Sequence, residues 1–555
     1  MQTVTESKRR MADIRMSHLE DAYSCVRDEH RILRDIFIPG RGRFHSDERK
    51  RKRNPRINPR AQFARATLAS GIHAGVTSPT RPWIKSTLAG DDQSEFGGNK
   101  EWLAIVDQRM LMWFAKSNLY QALPAMYAEF GSIGTMCALL VEDPLTLFRV
   151  ETYTVGEYRL ARNGKGQYDT LGLPGRQFTV RQLVDRFTLD KVSPQTRAAY
   201  ANPTQRENKV EVFHLVEPDP AGGWMSCWYE TAHNDAPPLK VAHYDDNPIM
   251  AASWDYVGTD PYACDCPGMV VRGAANALEI NEVENALALE RMHNPPMQGP
   301  TKKVNLKPGS YTQVDDVQAA KGGIRSVYEF RGDTNGLREN MSRRESVIDR
   351  AFMVDYFLRL SMDERNQRAT AAEVYAISDE KVVVLGPMMQ SMDDMFRVLY
   401  DFVFGLMVKK SIPIWDGILD GEPLLPPPPE GIDSDVEPEF ISVLHMAQRA
   451  HGLQGIERTV GFAGQIAQMT GKAPEKIDLD QAIDEYATRS GAPAKMVRDD
   501  EAVAAMRKAE AQQAQIQQMA AMAPAIKDAA AAAKLAGEAV PQEESALAGL
   551  GQALQ

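Results

Sequence analysis

The feature that most constrains this chain is a pair of helical stretches with a non-helical insertion between them. Residues 269–293 and 338–360 both carry apolar residues at helical spacing, whereas residues 294–337 are punctuated by Gly and Lys with short strand signals. The first stretch is stopped by Asn294, Pro295 and Pro296, because proline lacks an N–H and clashes with the preceding turn. At 1.5 Å per residue it is a rod of roughly 37 Å. In the second stretch Val347, Ala351, Val354 and Leu358 share one stripe. The pattern predicts an antiparallel helix pair with a compact tip.

Upstream, residues 11–38 read as an amphipathic helix with Ile14, Ala22, Cys25, Ile32 and Ile36 recurring, ended by Pro39 and Gly40. A basic run follows, Arg49, Lys50, Arg51, Lys52 and Arg53, extended by Arg56 and Arg60. Further helices are predicted over 59–75, with Phe63, Ala66, Leu68 and Ile72 as contacts, and over 101–117 and 119–129. From 145 to 230 the period drops toward 2, with strand-like runs at 145–150, 157–160, 210–216 and 224–229 and a hairpin signal at Asn163-Gly164. Downstream, residues 370–410 read as a long helix kinked at Gly386-Pro387, and 426–429 as a stiff linker. Helical segments follow at 440–470 and 480–490. The tail from 492 is rich in Ala and Gln, and its seam of Ile516, Met519 and Ile526 is interrupted by Pro524 and Pro541. That tail is either packed within an oligomer or partly disordered. The class is α+β, mainly α, and 555 residues predict three or four units.

Composition narrows the function. A net charge of −11 argues against bulk coating of nucleic acid. No apolar run approaches the 18 or so residues of a membrane span, and residues 1–10 lack the apolar core of a signal peptide. Five cysteines are sparse; Cys25 and Cys137 are expected to be buried thiols, and a reducing compartment fits best.

Motifs for catalysis do not assemble. A phosphate loop needs G-x-x-x-x-G-K-[ST], and the nearest stretch, Gly464 to Gly471-Lys472, has the wrong spacing with Ala473 after the lysine. There is no H-E-x-x-H and no G-x-S-x-G, and the 10 histidines show no ligand spacing. Asp315-Asp316 and Asp393-Asp394 read as solvated pairs rather than nuclease carboxylates. Cys264 and Cys266 supply two of the four ligands that a structural zinc site takes. The basic run at 49–53 reads either as a phosphate contact or as a solvated loop, and it lacks aromatics to stack on bases. Lys302, Lys303 and Lys307 carry the same two readings. No catalytic residue, metal ligand or cofactor is expected, which favours a structural or assembly role.

Several segments, in order, resemble the head-to-tail connector (portal) family of short-tailed double-stranded DNA phages. They are LASGIHAGVTSPTRPW at 68–83; Pro267-Gly268-Met269 with the exit through Asn294 to Met297; Lys307-Pro308-Gly309; AFMVDYF at 351–357; and RATAAEV at 368–374 followed by Leu385-Gly386-Pro387. The chain departs from the family at 263–266, where Ala-Cys-Asp-Cys replaces a Tyr-Gly-Arg-type sequence.

The resemblance implies a homo-dodecameric ring around a channel for double-stranded DNA, at one capsid vertex of the virion and assembled in the host cytoplasm. It implies a wing (1–260), a first stem helix (261–293), a clip (294–337) and a second stem helix (338–360). A tunnel loop with channel helix and linker (361–429), a crown (430–500) and a C-terminal tail or barrel (501–555) would follow. Implied partners are the major capsid and scaffold proteins, the terminase packaging motor and the tail adaptor, with no membrane. Arg343, Arg344, Arg365, Asn366, Gln367 and Arg368 become candidates for the DNA channel. Lys302, Lys303 and Lys307 become candidates for motor or adaptor contact. Twelve copies each carrying −11 would not grip a passing duplex, and repulsion at the wall is screened within about 8 Å. The competing classes are a packaging ATPase or nuclease, and another virion adaptor or scaffold.

Overall fold

The computed structural model describes residues 2–42, 56–88, 97–232, 237–293, 297–298, 325–326, 334–357, 371–418, 421–429, 436–441 and 459–465, with short stretches between 481 and 513. Helices α1 (Gln2–Phe37) and α2 (Arg60–Gly75) lead to strand β1 (Ile84–Leu88) and helices α3 (Gly97–Lys116) and α4 (Leu119–Ile133). Strands β2 (Thr135–Asp143), β3 (Leu147–Tyr153), β4 (Arg159–Arg162) and β5 (Tyr168–Thr179) follow, then α5 (Val180–Phe187) and α6 (Pro194–Ala201). Next come β6 (Lys209–Pro218), β7 (Trp224–Glu230), β8 (Lys240–Tyr244) and β9 (Ile249–Ser253). The second half holds α7 (Pro267–His293), the short strands β10 (Met297–Gln298) and β11 (Arg325–Ser326), α8 (Thr334–Ala351), α9 (Ala371–Trp415) and β12 (Val436–Phe440).

Antiparallel sheets β3-β2-β9 and β4-β5-β6-β7-β8 form the predicted β-rich region. The β4–β5 hairpin turns through Asn163 to Gly166, so the turn is longer than the two-residue one expected at Asn163-Gly164. One large core joins α1–α4, the three-stranded sheet, the start of α7, the end of α8 and α9.

Helix α1 buries Ala12, Met16, Leu19, Tyr23, His30, Leu33 and Phe37, a 3.6-period stripe. Of the stripe expected from Ile14, Ala22, Cys25, Ile32 and Ile36, only Ile36 is buried; the other four are exposed. The aromatic stripe wins because it packs on both the five-stranded sheet and the main core. In α2, Leu68 and Ile72 are buried as expected, whereas Phe63 and Ala66 face solvent.

Helix α8 starts before residue 338 and stops at Ala351, not Leu360. Met353 has φ 54°, the left-handed region, and the chain re-enters a helical turn at 354–357. The cause is packing: Phe352 is fully buried, its ring 5.4 Å from that of Phe37, while Phe357 turns back onto α2. Ile348 and Phe352 are buried with Val354 of the expected stripe, Ala351 is half-buried and Val347 is exposed; Leu358 lies outside the described residues. Helix α9 runs unbroken through Gly386-Pro387 and buries Met388, Met392, Met395, Phe396, Leu399 and Val403. Phe440 ends a strand rather than opening a helix, since β12 pairs antiparallel with β1, Ile84 opposite Phe440.

Candidate stem and its anchorage

The expected antiparallel pair exists as α7 and α8. Helix α7 has 27 residues, about 40 Å of rod. Its start is set locally: Pro267 occupies the first helical position, where a missing N–H costs nothing. Cys266 is buried and its Sγ accepts from the Met269 N–H at 3.4 Å. Cys264 is exposed, its backbone N–H donating to the Asp255 carboxylate at 3.0 Å. Among the described residues no group of three or more His, Cys, Asp or Glu is placed to hold a metal.

The base of the pair is seated by close backbone approach. A Cβ at residue 268 would overlap the Ser132 carbonyl oxygen, so Gly268 lets α7 touch the end of α4. Residues 56–60 then strap α7 and α8 together. Arg56 donates to Asn276 Oδ1 at 2.8 Å and to the Asp35 carbonyl at 3.2 Å. The Glu279 carboxylate accepts the Ile57 and Asn58 N–H groups at 2.8 and 3.0 Å. Arg60 forms a two-pronged ion pair with Asp349 of α8, Nε to Oδ1 2.8 Å. Arg272 ties α7 back to Glu29 of α1 at 2.8 Å. Arg56 and Arg60, which extend the basic run in the sequence, are therefore engaged inside the chain. Burial lowers the pKa of Arg56, and the Asp349 bond raises that of Arg60. Residues 49–53 lie outside the described residues.

One face of α7 is covered and another is bare. Val271, Ala275 and Leu278 are buried, whereas Ile280, Val283 and Leu287 are 58%, 37% and 45% exposed. At about 100° per residue Ile280 stands roughly 200° from Leu278, so the bare stripe faces away from the core. Of the predicted channel residues, Arg343 is exposed and Arg344 half-buried on α8. Neither is in an ion pair among the described residues. Arg365, Asn366, Gln367 and Arg368, and the clip residues Lys302, Lys303 and Lys307, lie outside the described residues.

Periodicity gave no sign of two further features. The first is the strap at 56–60. The second is Glu129, fully buried on α4, whose carboxylate accepts from Thr154 Oγ1 at 2.5 Å and the Val155 N–H at 3.0 Å. Burial pushes its pKa up to about 7, against those bonds and the nearby Arg41. Glu129 also lines a polar cleft of about 1230 Å³ between α1, α4 and β5, with Glu20, Arg41, Arg159 and Arg176.

The model of the family described as bacteriophage head to tail connecting protein matches residues 9–497. The chain belongs to that family. It is 34% identical over 543 residues to the portal protein of Salmonella phage epsilon15, covering 94% of each. It is 32% identical over 511 residues to the probable portal protein of Bordetella phage BPP-1, covering 88% of this chain and 89% of that one. A chain from the virion of the native gene transfer agent particle superposes with a TM-score of 0.34 at 10% identity, over 80% of this chain and 93% of that one. The chain is a portal subunit, a structural component of a phage virion. No helix among the described residues is long and apolar enough to cross a membrane.

Proposed function

We propose that copies of this chain close into a ring, twelve in number, at one capsid vertex, with α7 and α8 as its stem. The single observation that carries this is the bare stripe of Ile280, Val283 and Leu287 on a helix already seated by its opposite face. Apolar residues repeated along one stripe call for a partner, and a head-to-tail contact between identical copies closes into a ring when its rotation allows. The connector family and its portal relatives support the same reading.

The ring's channel carries double-stranded DNA during packaging and ejection. Arg343 and Arg344, with Arg365, Asn366, Gln367 and Arg368, are proposed to meet the duplex. The region 294–337 with Lys302, Lys303 and Lys307 is proposed as the docking tip for the terminase motor and then the tail adaptor. The capsid and scaffold proteins surround the ring. The role is positional, with no chemistry performed by the chain.

Depletion tests the role. Heads of the parent phage assembled without this chain should contain no DNA and carry no tail. Heads that fill and gain tails without it would overturn the proposal.

A further inference from the structure

The proline run at 426–429 is not a free linker. Leu425 is fully buried. Its N–H donates to Ser411 Oγ at 3.0 Å, and that hydroxyl donates to the Met407 carbonyl at 2.8 Å. Its carbonyl accepts the indole N–H of Trp415, on α9, at 2.8 Å. The next carbonyl, Pro426, accepts the indole N–H of Trp102, on α3, at 3.0 Å. Glu422 reaches Arg109 of α3 at 3.2 Å. Two indoles from helices far apart in sequence thus read consecutive carbonyls of one proline-rich strand, while Pro427 and Pro428 remain exposed.

The chemistry of that grip is specific to the ligand type. Leu425 to Pro428 each precede a proline and are barred from the α region, so the segment is extended before it docks. An extended proline run has few N–H groups to pair and offers outward carbonyls. Aromatic clefts recognise such ligands at low entropic cost. The grip is also light: Leu425 buried and Leu424 half-buried against the core, three hydrogen bonds and an exposed ion pair that contributes little. Contacts so few open locally without unfolding the helices beneath them.

We propose that Trp102 and Trp415 form a proline-recognition cleft whose resident ligand is the chain's own residues 422–429, held as a releasable strap. Seated, the strap ties the end of α9 to α3 and delivers the chain to β12, which adds to β1. Released, it leaves β12 held by its pairing with β1 and by its contacts with α9, Phe440 on Phe396 and Glu437 on Arg397.

Hydrogen exchange measured by mass spectrometry tests this on the full-length protein, with the Leu425 amide as reporter. Trp102→Phe and Trp415→Phe keep the ring and remove the donor. Each should speed exchange at Leu425 by roughly threefold to tenfold, with the amides of α3 and α9 unchanged. Unchanged exchange at Leu425 in both variants would overturn the proposal. A second measurement needs no variant. A synthetic peptide with the sequence of residues 422–429, added to the wild-type protein, should accelerate Leu425 exchange with its concentration, and a proline-free scramble should not. No response to the proline peptide, or an equal response to the scramble, would overturn it.

Discussion

The ring of Phe357 lies on the backbone of Gly71, in the place where a side chain at residue 71 would begin. The contact joins two segments nearly three hundred positions apart, α2 and the turn after α8, and both belong to stretches that resemble the connector family. It places the bend at Met353: the chain leaves α8 through a left-handed residue so that Phe352 and Phe357 can both reach the body.

Gly71→Ala should therefore destabilise the protein by about 1–3 kcal/mol, the range for forcing volume into a packed site. Adding Phe357→Ala should cost less in the Gly71→Ala background than alone, because the two changes share one contact. Denaturant midpoints for the four proteins of the cycle measure the coupling, and strict additivity would show that the contact carries no weight.

The strap of residues 56–60 over α7 and α8 makes a second prediction. Glu279→Ala removes the charged acceptor of two backbone N–H groups, one exposed and one half-buried, and should cost about 1–3 kcal/mol, the worth of hydrogen bonds to a charged group. Arg60→Ala breaks a pair whose arginine is partly exposed, so its cost should be smaller, roughly 1 kcal/mol or less. Thermal melts that rank Arg60→Ala as the worse of the two would contradict this assignment.

Glu129 gives a pH signature. Burial raises its folded pKa to about 7, above the ordinary carboxylate value, so the folded chain binds a proton that the unfolded chain has lost. Its contribution is complete below the unfolded pKa and is lost as pH rises through about 7. Buried His30 works in the opposite direction. Its pKa is lowered to about 4, mainly by burial, so its stabilising contribution is lost as pH falls. The difference between wild type and Glu129→Gln isolates the carboxyl. Denaturant midpoints at pH 5 and pH 8 should show wild type losing more stability than the variant as pH rises, by on the order of 2 kcal/mol. Equal slopes would show that Glu129 does not bind the proton.

The bare stripe of α7 predicts a separation between folding and assembly. Ile280→Asp and Leu287→Asp place charge on exposed positions and should leave the circular dichroism melt nearly unchanged while reducing assembly. Variants that assemble as well as wild type would place the copy-to-copy contact elsewhere.

What the sequence revealed, and what it hid, follows from range of interaction. Helix α7 was legible because its stops are local: Pro267 at the start, Asn294 and two prolines at the end. The end of α8 was not, because no Gly or Pro marks Met353; the break is imposed by Phe37 and Gly71 across the fold. Strand β12 was missed because its partner β1 lies some 350 residues away and Pro438 weakens the local strand signal. The stripe of α1 was misread because two apolar stripes compete on that helix, and only the packed body decides between them. The arginines at 56 and 60 looked like part of a basic run until Asn276 and Asp349 appeared beside them. The resemblance segments were quotable from the sequence, but the meeting of Gly71 with Phe357 was not.

The mass of the purified full-length chain in solution, with negative-stain images of the same sample, tests the central claim most directly. The account predicts closed rings of about twelve copies of a 61.7 kDa chain around an open channel. A chain that stays monomeric or dimeric at every concentration, with and without the scaffold protein, would contradict it.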